Sequence, residues 1–495
     1  MIDMTILAYC IPGLLLVLTL ILSSRNRFMG NDAVLNTFSI IHAFYLLGLT
    51  IFIMFTADLP VYFMDGRYFA IDRLSLYEIL IAAIVFCLSA IYARGYIRDL
   101  LNTGEIARNN TGLFYGAFNM LFTVIVLSFL ANNVALYWIF LELTTLFSAL
   151  LIVILKAREN ITASLKYVFI ASSAMLFSFV GIIILYALNL DLVNGGVLNW
   201  DTLLEIAPSL PGTAFGVAFI LLFIGFGAKS GLVPFHTWLP IAHSRAPSVV
   251  SALLSGVLLN IGIYGIMRLN AVATQTTVGD NLKVFLIVAG ILSILVPAFC
   301  LAVRTDTKKF IAFSSIEHMG LLVLGIGLSS PAVLFWVLFH KLGHSLSKVL
   351  LFFSAGIFHR QYESNKYFQI KNAFKLQPLA SWGLILGSLS VLGVPLFPIF
   401  LSKLNILIGL ADFSVAGLVI VLLLLFIIAS SFGYYLVRAF SNREEEAELK
   451  AYNTPKSMKW PIAFIFVILL GLGLYMPGGL ADWLNGIVSD LGFLG

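Results

Sequence analysis

"GFGAKSGLVPFHTWLP", residues 225–240, places one lysine, Lys229, in an otherwise apolar run and follows it with Gly231 and Pro234. A cation surrounded by apolar side chains is expensive, and ionisable groups in such places mark ion paths more often than they serve packing. Proline removes a backbone donor and clashes with the preceding turn, so a helix through this stretch breaks beside its charge. Broken backbone at membrane depth is tolerated only where protein buries it or water lines it. The stretch therefore calls for a many-helix membrane bundle with a polar interior.

The rest of the chain agrees. Of its 495 residues, 60% are hydrophobic and 11% charged, a composition of proteins dissolved in lipid. Fourteen apolar windows long enough for a bilayer fall near residues 4–24, 33–56, 74–96, 111–130, 132–155, 161–187, 212–238, 247–268, 282–302, 309–328, 332–357, 379–410, 414–438 and 458–477. The first is too long, and lacks the small-residue site, for a cleaved signal peptide, so it is read as a helix. The net charge of +5 is spread over short loops, which excludes a nucleic-acid surface and reports topology instead. Loops after odd-numbered spans hold most of the Lys and Arg, whereas those after even-numbered spans hold only Arg67, Arg73, Arg268 and Lys283. By the positive-inside rule the odd loops face the cytoplasm and both termini lie on the other side. Cys10, Cys87 and Cys300 stand singly, without the spacing of a cluster, zinc site or disulfide framework.

A second break is expected in span 12, "GVPLFPIFLSKLN" (393–405), where Gly393, Pro395 and Pro398 precede Lys403. Spans 7 and 12 are five apart, which fits two inverted five-helix units, residues 111–270 and 280–440, after three N-terminal helices (1–110) and before a last helix and tail (441–495). Lys229 precedes its proline while Lys403 follows its own, an order that a strict repeat does not explain.

Five lysines lie within spans: Lys166, Lys229, Lys341, Lys348 and Lys403. Glu142, in "YWIFLELTTLFSALL" (137–151), is read as the one mid-helix carboxylate, with Glu78 and Glu317 nearer helix ends. It has no cation at i±3 or i±4, so any partner comes from another helix. Burial works against a charged Lys229 and an approaching Glu142 works for it, so a mobile pair could load and unload a proton, whereas a fixed pair would only hold helices together. The adjacent break favours the first reading. "WVLFHKLGHSLSKVLLFF" (336–353) sets His340, His344 and Lys348 on one face at i+4 steps, a stripe able to pass protons or, more plainly, a row of hydrogen-bonded core groups. Lys341 points about 100° away, toward a second face or the partner half. His236 and His243, in "FHTWLPIAHSRAPS" (235–248), fit an intake relay or loop caps equally, and His318 in "SSIEHMG" completes no metal-ligand spacing. Lys166 and Asn260 could extend the polar axis, although Asn260 is also explained by an interhelical hydrogen bond. No phosphate loop, dinucleotide fingerprint or nucleophile elbow is present, which leaves an ATPase or hydrolase without support.

Taken in order, "YWIFLELTTL", "GFGAKSGLVPFHTWLPIAHSRAPS", "SALLSGVLLNIGIYGIMR", "DTKKFIAFSSIEHMG", "HSLSKVLLFFSAG" and "GVPLFPIFLSK" resemble the antiporter-like proton-translocating subunits shared by complex I, Mrp-type antiporters and energy-converting membrane-bound hydrogenases, most nearly the hydrogenase branch. The resemblance implies an all-α inverted-repeat bundle in which Glu142, Lys229, His344, Lys348 and Lys403 carry protons. Asn260 stands where many members have a lysine, which points to water or the 340–348 stripe as the bridge. Ile241 and Arg245 replace acidic residues common in the family, so the intake on that side would differ. The resemblance further implies other membrane subunits and a peripheral redox arm as partners, with iron-sulfur clusters and a nickel-iron site in those subunits, in the cytoplasmic membrane of a prokaryote. A sodium/proton antiporter subunit without redox chemistry is the alternative. A scaffold that has lost conduction is the weakest, since every axis charge except that at Asn260 is kept.

Overall fold

The computed structural model describes residues 8, 9, 13, 32–63, 68–190, 192, 193, 196–441 and 450–493. The window at 4–24 lies outside the described residues but for three of them.

Helices dominate: α1 (Asp32–Thr56), α2 (Arg73–Asn102), α3 (Thr111–Leu130), α4 (Val134–Val153), α5 (Arg158–Asn189), the short α6 (Trp200–Ile206), α7 (Gly212–Lys229), α8 (Trp238–Arg245), α9 (Ser248–Thr274), α10 (Gly279–Leu301), α11 (Thr307–Leu328), α12 (Pro331–Tyr362), α13 (Pro378–Leu392), α14 (Pro398–Phe413), α15 (Val415–Phe440), α16 (Lys456–Leu474) and α17 (Gly478–Asp490). Eleven are long and apolar enough to cross a membrane: α1 to α5, α7, α9, α10, α11, α15 and α16. The others miss for legible reasons. His340, Lys341, His344 and Lys348 lower the hydropathy of α12, and α13 and α14 are the short pieces of one interrupted span.

Among the described residues, α8 falls between two apolar windows, and a hairpin, α6 and α17 have no counterpart in them. Val61–Phe63 (β1) pairs antiparallel with Phe69–Ile71 (β2), α6 is a short amphipathic turn, and the tail after α16 folds into the 13-residue α17. They meet around a cavity of about 250 Å³ lined by Tyr62, Asp72, Asn132, Asp201, Arg268 and Asp490. Asp72 caps α2, accepting from the Ser75 amide at 2.8 Å, and takes Arg268 Nη2 at 2.5 Å. Burial alone would raise the Asp72 carboxyl; the guanidinium and the capping amide outweigh it and hold it below its usual range.

α9 is the spine of the bundle, buried except at Arg268 and Thr274, with a π-turn at Leu254–Leu258. Without a hydrophobic force between helices in lipid, close backbone approach through small residues supplies the packing. Gly262 is where α9 meets the end of α7: a methyl there would lie 2.2 Å from the Phe226 carbonyl and from the Ser230 hydroxyl, and 3.0 Å from the Ser230 amide. Backbone cannot step aside as a side chain can, so Gly262→Ala should cost about 3 kcal/mol or more. The check is the thermal midpoint of the purified protein in detergent, and an unchanged midpoint would contradict this packing.

Candidate functional site: a buried titratable axis

The first break is built as the sequence requires. Lys229 is the last residue of α7, and Ser230 and Gly231, the latter at φ +71°, turn the chain away before Pro234. The break is held by backbone bonds from Leu232 to Gly227 O at 2.8 Å and by the Trp238 indole donating to Ala228 O at 2.9 Å. Lys229 is fully buried and donates to Thr145 Oγ1 at 2.5 Å. Glu142, one turn before Thr145 on α4, accepts from Ser172 Oγ of α5 at 2.9 Å, and its other oxygen has no hydrogen-bond partner among the described residues. The two are thus electrostatic neighbours, each bonded to a hydroxyl instead of to the other.

From the break the polar groups continue onto α9. Ser230 Oγ donates to Leu259 O at 3.1 Å, and the next residue, Asn260, donates to Ser345 Oγ of α12 at 2.9 Å. The Asn260 carbonyl oxygen is buried without a partner among the described residues. Ser255 on the π-turn meets Ser315 of α11 at 2.9 Å.

On α12 the expected stripe faces α11 and α14. His340 Nδ1 lies 2.8 Å from Ser402 Oγ and its Nε2 lies 2.9 Å from His318 Nδ1. The His344 ring sits 5.1 Å from that of His318, and neither of its nitrogens finds a hydrogen-bond partner among the described residues. Lys348 donates to Ile311 O at 3.0 Å and to Ser314 Oγ at 2.5 Å. All four side chains are fully buried.

The second break explains the reversed order of lysine and proline. α13 ends at Leu392, Gly393 turns the chain at φ +78°, and α14 begins at Pro398. Lys403 sits inside α14 but reaches back, donating to Val391 O at 3.2 Å and Leu392 O at 3.4 Å. Its ammonium therefore occupies the C-terminal end of the first half-helix, where the open carbonyls favour a cation, whereas that of Lys229 leaves its own helix end for Thr145 of α4. Glu317 Oε1 lies 2.8 Å from it. Glu317 is the middle of α11, not near an end as the sequence reading had it, and stands to Lys403 as Glu142 would to Lys229.

A further pair was not foreseen: Lys341, on the other face of α12, forms a fully buried ion pair with Glu78 of α2. Lys166 is placed elsewhere. It is exposed on the outer face of α5 beside Leu165 and Phe169, away from the axis. His236 lies half-buried in the first break. His243 is buried and stacked on Phe352, one turn beyond Lys348, with ring centroids 5.0 Å apart. Beyond it a cavity of about 250 Å³ is lined by Lys156, Arg245, Lys308, His359 and Glu105. Among the described residues no group of His, Cys, Asp and Glu is arranged to hold a metal ion.

Charges buried at two broken helices of a multi-pass helical membrane protein are the features of an ion path. The chain belongs to the family described as "NADH:quinone oxidoreductase/Mrp antiporter, TM", whose pattern matches residues 131–476. It is 27% identical to a hydrogenase-4 component F homolog of Methylacidiphilum infernorum, over 88% of this chain and 90% of that one. It is 29% identical to hydrogenase-4 component B of Escherichia coli, over 67% of this chain and 49% of that longer one. Among solved structures it is similar in fold to a chain of an archaeal membrane-bound sulfane sulfur reductase (TM-score 0.86, 19% identity, 98% and 97% covered). It is also similar to chains of the Mrp complex of Dietzia sp. (0.82, 18%, 98% and 97% covered) and of respiratory complex I from Thermus thermophilus (0.81, 19%, 100% of both).

Proposed function

We propose that this chain is a proton-translocating membrane subunit of a redox-driven, complex I-like assembly of the membrane-bound hydrogenase type. The observation that carries the reading is the run of buried titratable groups from Lys229 at one helix break to Lys403 at the other. Glu142, half-buried on the α4 rim, would sense a neighbouring subunit and swing between Ser172 and Lys229, changing the cost of the lysine's charge. Protons would then pass by way of His344 and Lys348 to Lys403, with His318 and His340 as further relay groups and His236 and His243 serving the intake.

The architecture we assign is fourteen spans, with both termini on the non-cytoplasmic side. Spans 4–8 (111–270) and 9–13 (280–440) form inverted repeats between an N-terminal segment (1–110) and a C-terminal one (441–495). The equivalence of Glu142 with Glu317, and of the two lysine-bearing breaks, supports it. Partners would be antiporter-like neighbours and a peripheral arm carrying iron-sulfur clusters and a nickel-iron site. The hydrogenase branch is favoured by the match to a hydrogenase-4 component F homolog over nearly the full length of both chains.

The rival is an Mrp-type sodium/proton antiporter subunit, supported by the likeness to the Mrp complex. Gentle purification of the native complex decides between them. Nickel, iron-sulfur EPR signals and proton uptake into vesicles driven by substrate oxidation are the expected result. Sodium/proton exchange without any redox centre would replace this reading with the antiporter.

A further inference from the structure

The axis just described has a gap between Lys229 and His344. Lys229 sits against α4 and His344 faces α11, while on α9 Asn260 reaches α12 through Ser345. α12 closes that gap because it presents titratable groups on two faces. His340, His344 and Lys348 reach α11 and α14. Lys341 and Ser345, an i,i+4 pair, reach α2 and α9, and Ser345 is the residue that Asn260 bonds. Lys341 and His344 are an i,i+3 pair, neighbours about 5–6 Å apart across the two faces.

The Glu78 carboxylate that pairs with Lys341 comes from α2, which packs against the α9 π-turn. It lies within electrostatic reach of Tyr137 on α4 and Tyr264 on α9. Only one of its oxygens is bonded; Oε2 is buried without a hydrogen-bond partner among the described residues, as is Asn260 Oδ1. As a clamp this pair is poorly designed. A buried ion pair seldom outperforms packed apolar residues, and one with a bare carboxylate oxygen does worse still. As a proton station it has what is needed: a group to receive, a group to give, and in His344 an acceptor with both nitrogens unengaged.

We infer that Glu78 and Lys341 form the bridging proton station between the two half-channels, a deepening that rests on the function proposed above. A proton arriving from the Lys229 side by way of the Asn260 and Ser345 region is taken by the Glu78 carboxylate. Lys341, its counter-ion neutralised, gives one ammonium proton to an unprotonated nitrogen of His344. Glu78 then passes its proton to the neutral Lys341 amine, restoring carboxylate and ammonium. One proton enters, one leaves, and no bond other than N–H and O–H changes.

The test separates a station from a clamp. Lys341→Arg keeps the ion pair, but a guanidinium does not release its proton. In the intact complex reconstituted into vesicles, this variant should assemble normally and lose proton uptake about a hundredfold. Uptake at the wild-type rate would overturn the proposal. The neutral pair Glu78→Gln with Lys341→Met leaves no stranded charge and decides the matter should the arginine variant fail to assemble: loss of uptake supports the station, retained uptake overturns it. Lys229→Ala, measured alongside, separates the two levels. If Lys229→Ala is silent while Lys341→Arg pumps, the bridge alone is wrong; if Lys229→Ala pumps, the functional reading and the bridge fall together.

Discussion

Replacing Lys229 with alanine is expected to stop proton translocation by the assembled complex while leaving its fold almost intact. Both halves of the expectation come from the partner that Lys229 has. Its ammonium rests on a threonine hydroxyl, and Thr145 keeps its own contact with Leu141 O at 3.4 Å when the lysine is gone. Glu142, half-buried, keeps its bond from Ser172, so the cost to stability is close to that of an ordinary hydrogen bond, about 1 kcal/mol. The functional loss is larger because Lys229 is the group at the first break that is fully buried and within electrostatic reach of Glu142, and removal of such a group lowers proton-transfer rates about a hundredfold or more. Vesicles with an internal pH dye read the first quantity and thermal unfolding in detergent the second, while the redox turnover of the partner subunits should persist. Uptake at the wild-type rate would remove Lys229 from the path.

Lys403→Ala should look different, failing in transport and in stability together. Lys403 is the charge partner of Glu317 and also holds the carbonyls of Val391 and Leu392 at the second break. Deleting it leaves a carboxylate buried in the middle of α11, and breaking a buried pair from one side costs about 3–5 kcal/mol. The thermal midpoint should fall by several degrees, and Glu317→Gln in the same chain should recover most of that fall without recovering transport. A single variant as stable as the wild type would mean that the pair is not made in the membrane. The contrast between the two lysines is itself informative: each stands beside a helix break, but one is held by a hydroxyl and the other by a carboxylate and two carbonyls.

Much of this was legible in the residue order. Long apolar windows located the long helices, and Gly231 with Pro234 and Gly393 with Pro398 located both breaks, because backbone chemistry at glycine and proline is local. The stripe on α12 followed from i+4 spacing. What escaped were partnerships over long separations. Glu317 meets a lysine 86 positions later and Glu78 one 263 positions later, and no periodicity connects such residues. The symmetry argument could have found Glu317, since span 10 stands to span 5 as 12 stands to 7. Lys166 misled for another reason. α5 is apolar around its whole circumference, so nothing in its sequence says which side the bundle covers. The hairpin, α6 and α17 were missed because short elements carry no signal in windows tuned to the length of a bilayer span.

The π-turn in α9 has a bearing on how this chain is compared with any other. One residue is accommodated in Leu254–Leu258 beyond what an α-helix would hold, so every side chain after it is rotated by about 100° from where a regular helix begun at Ser248 would aim it. A helical wheel drawn straight through α9 puts Asn260 on the wrong side. A residue-by-residue match to a relative whose helix lacks the bulge must open a gap there, and only past that gap do positions such as Asn260 and Tyr264 correspond in space.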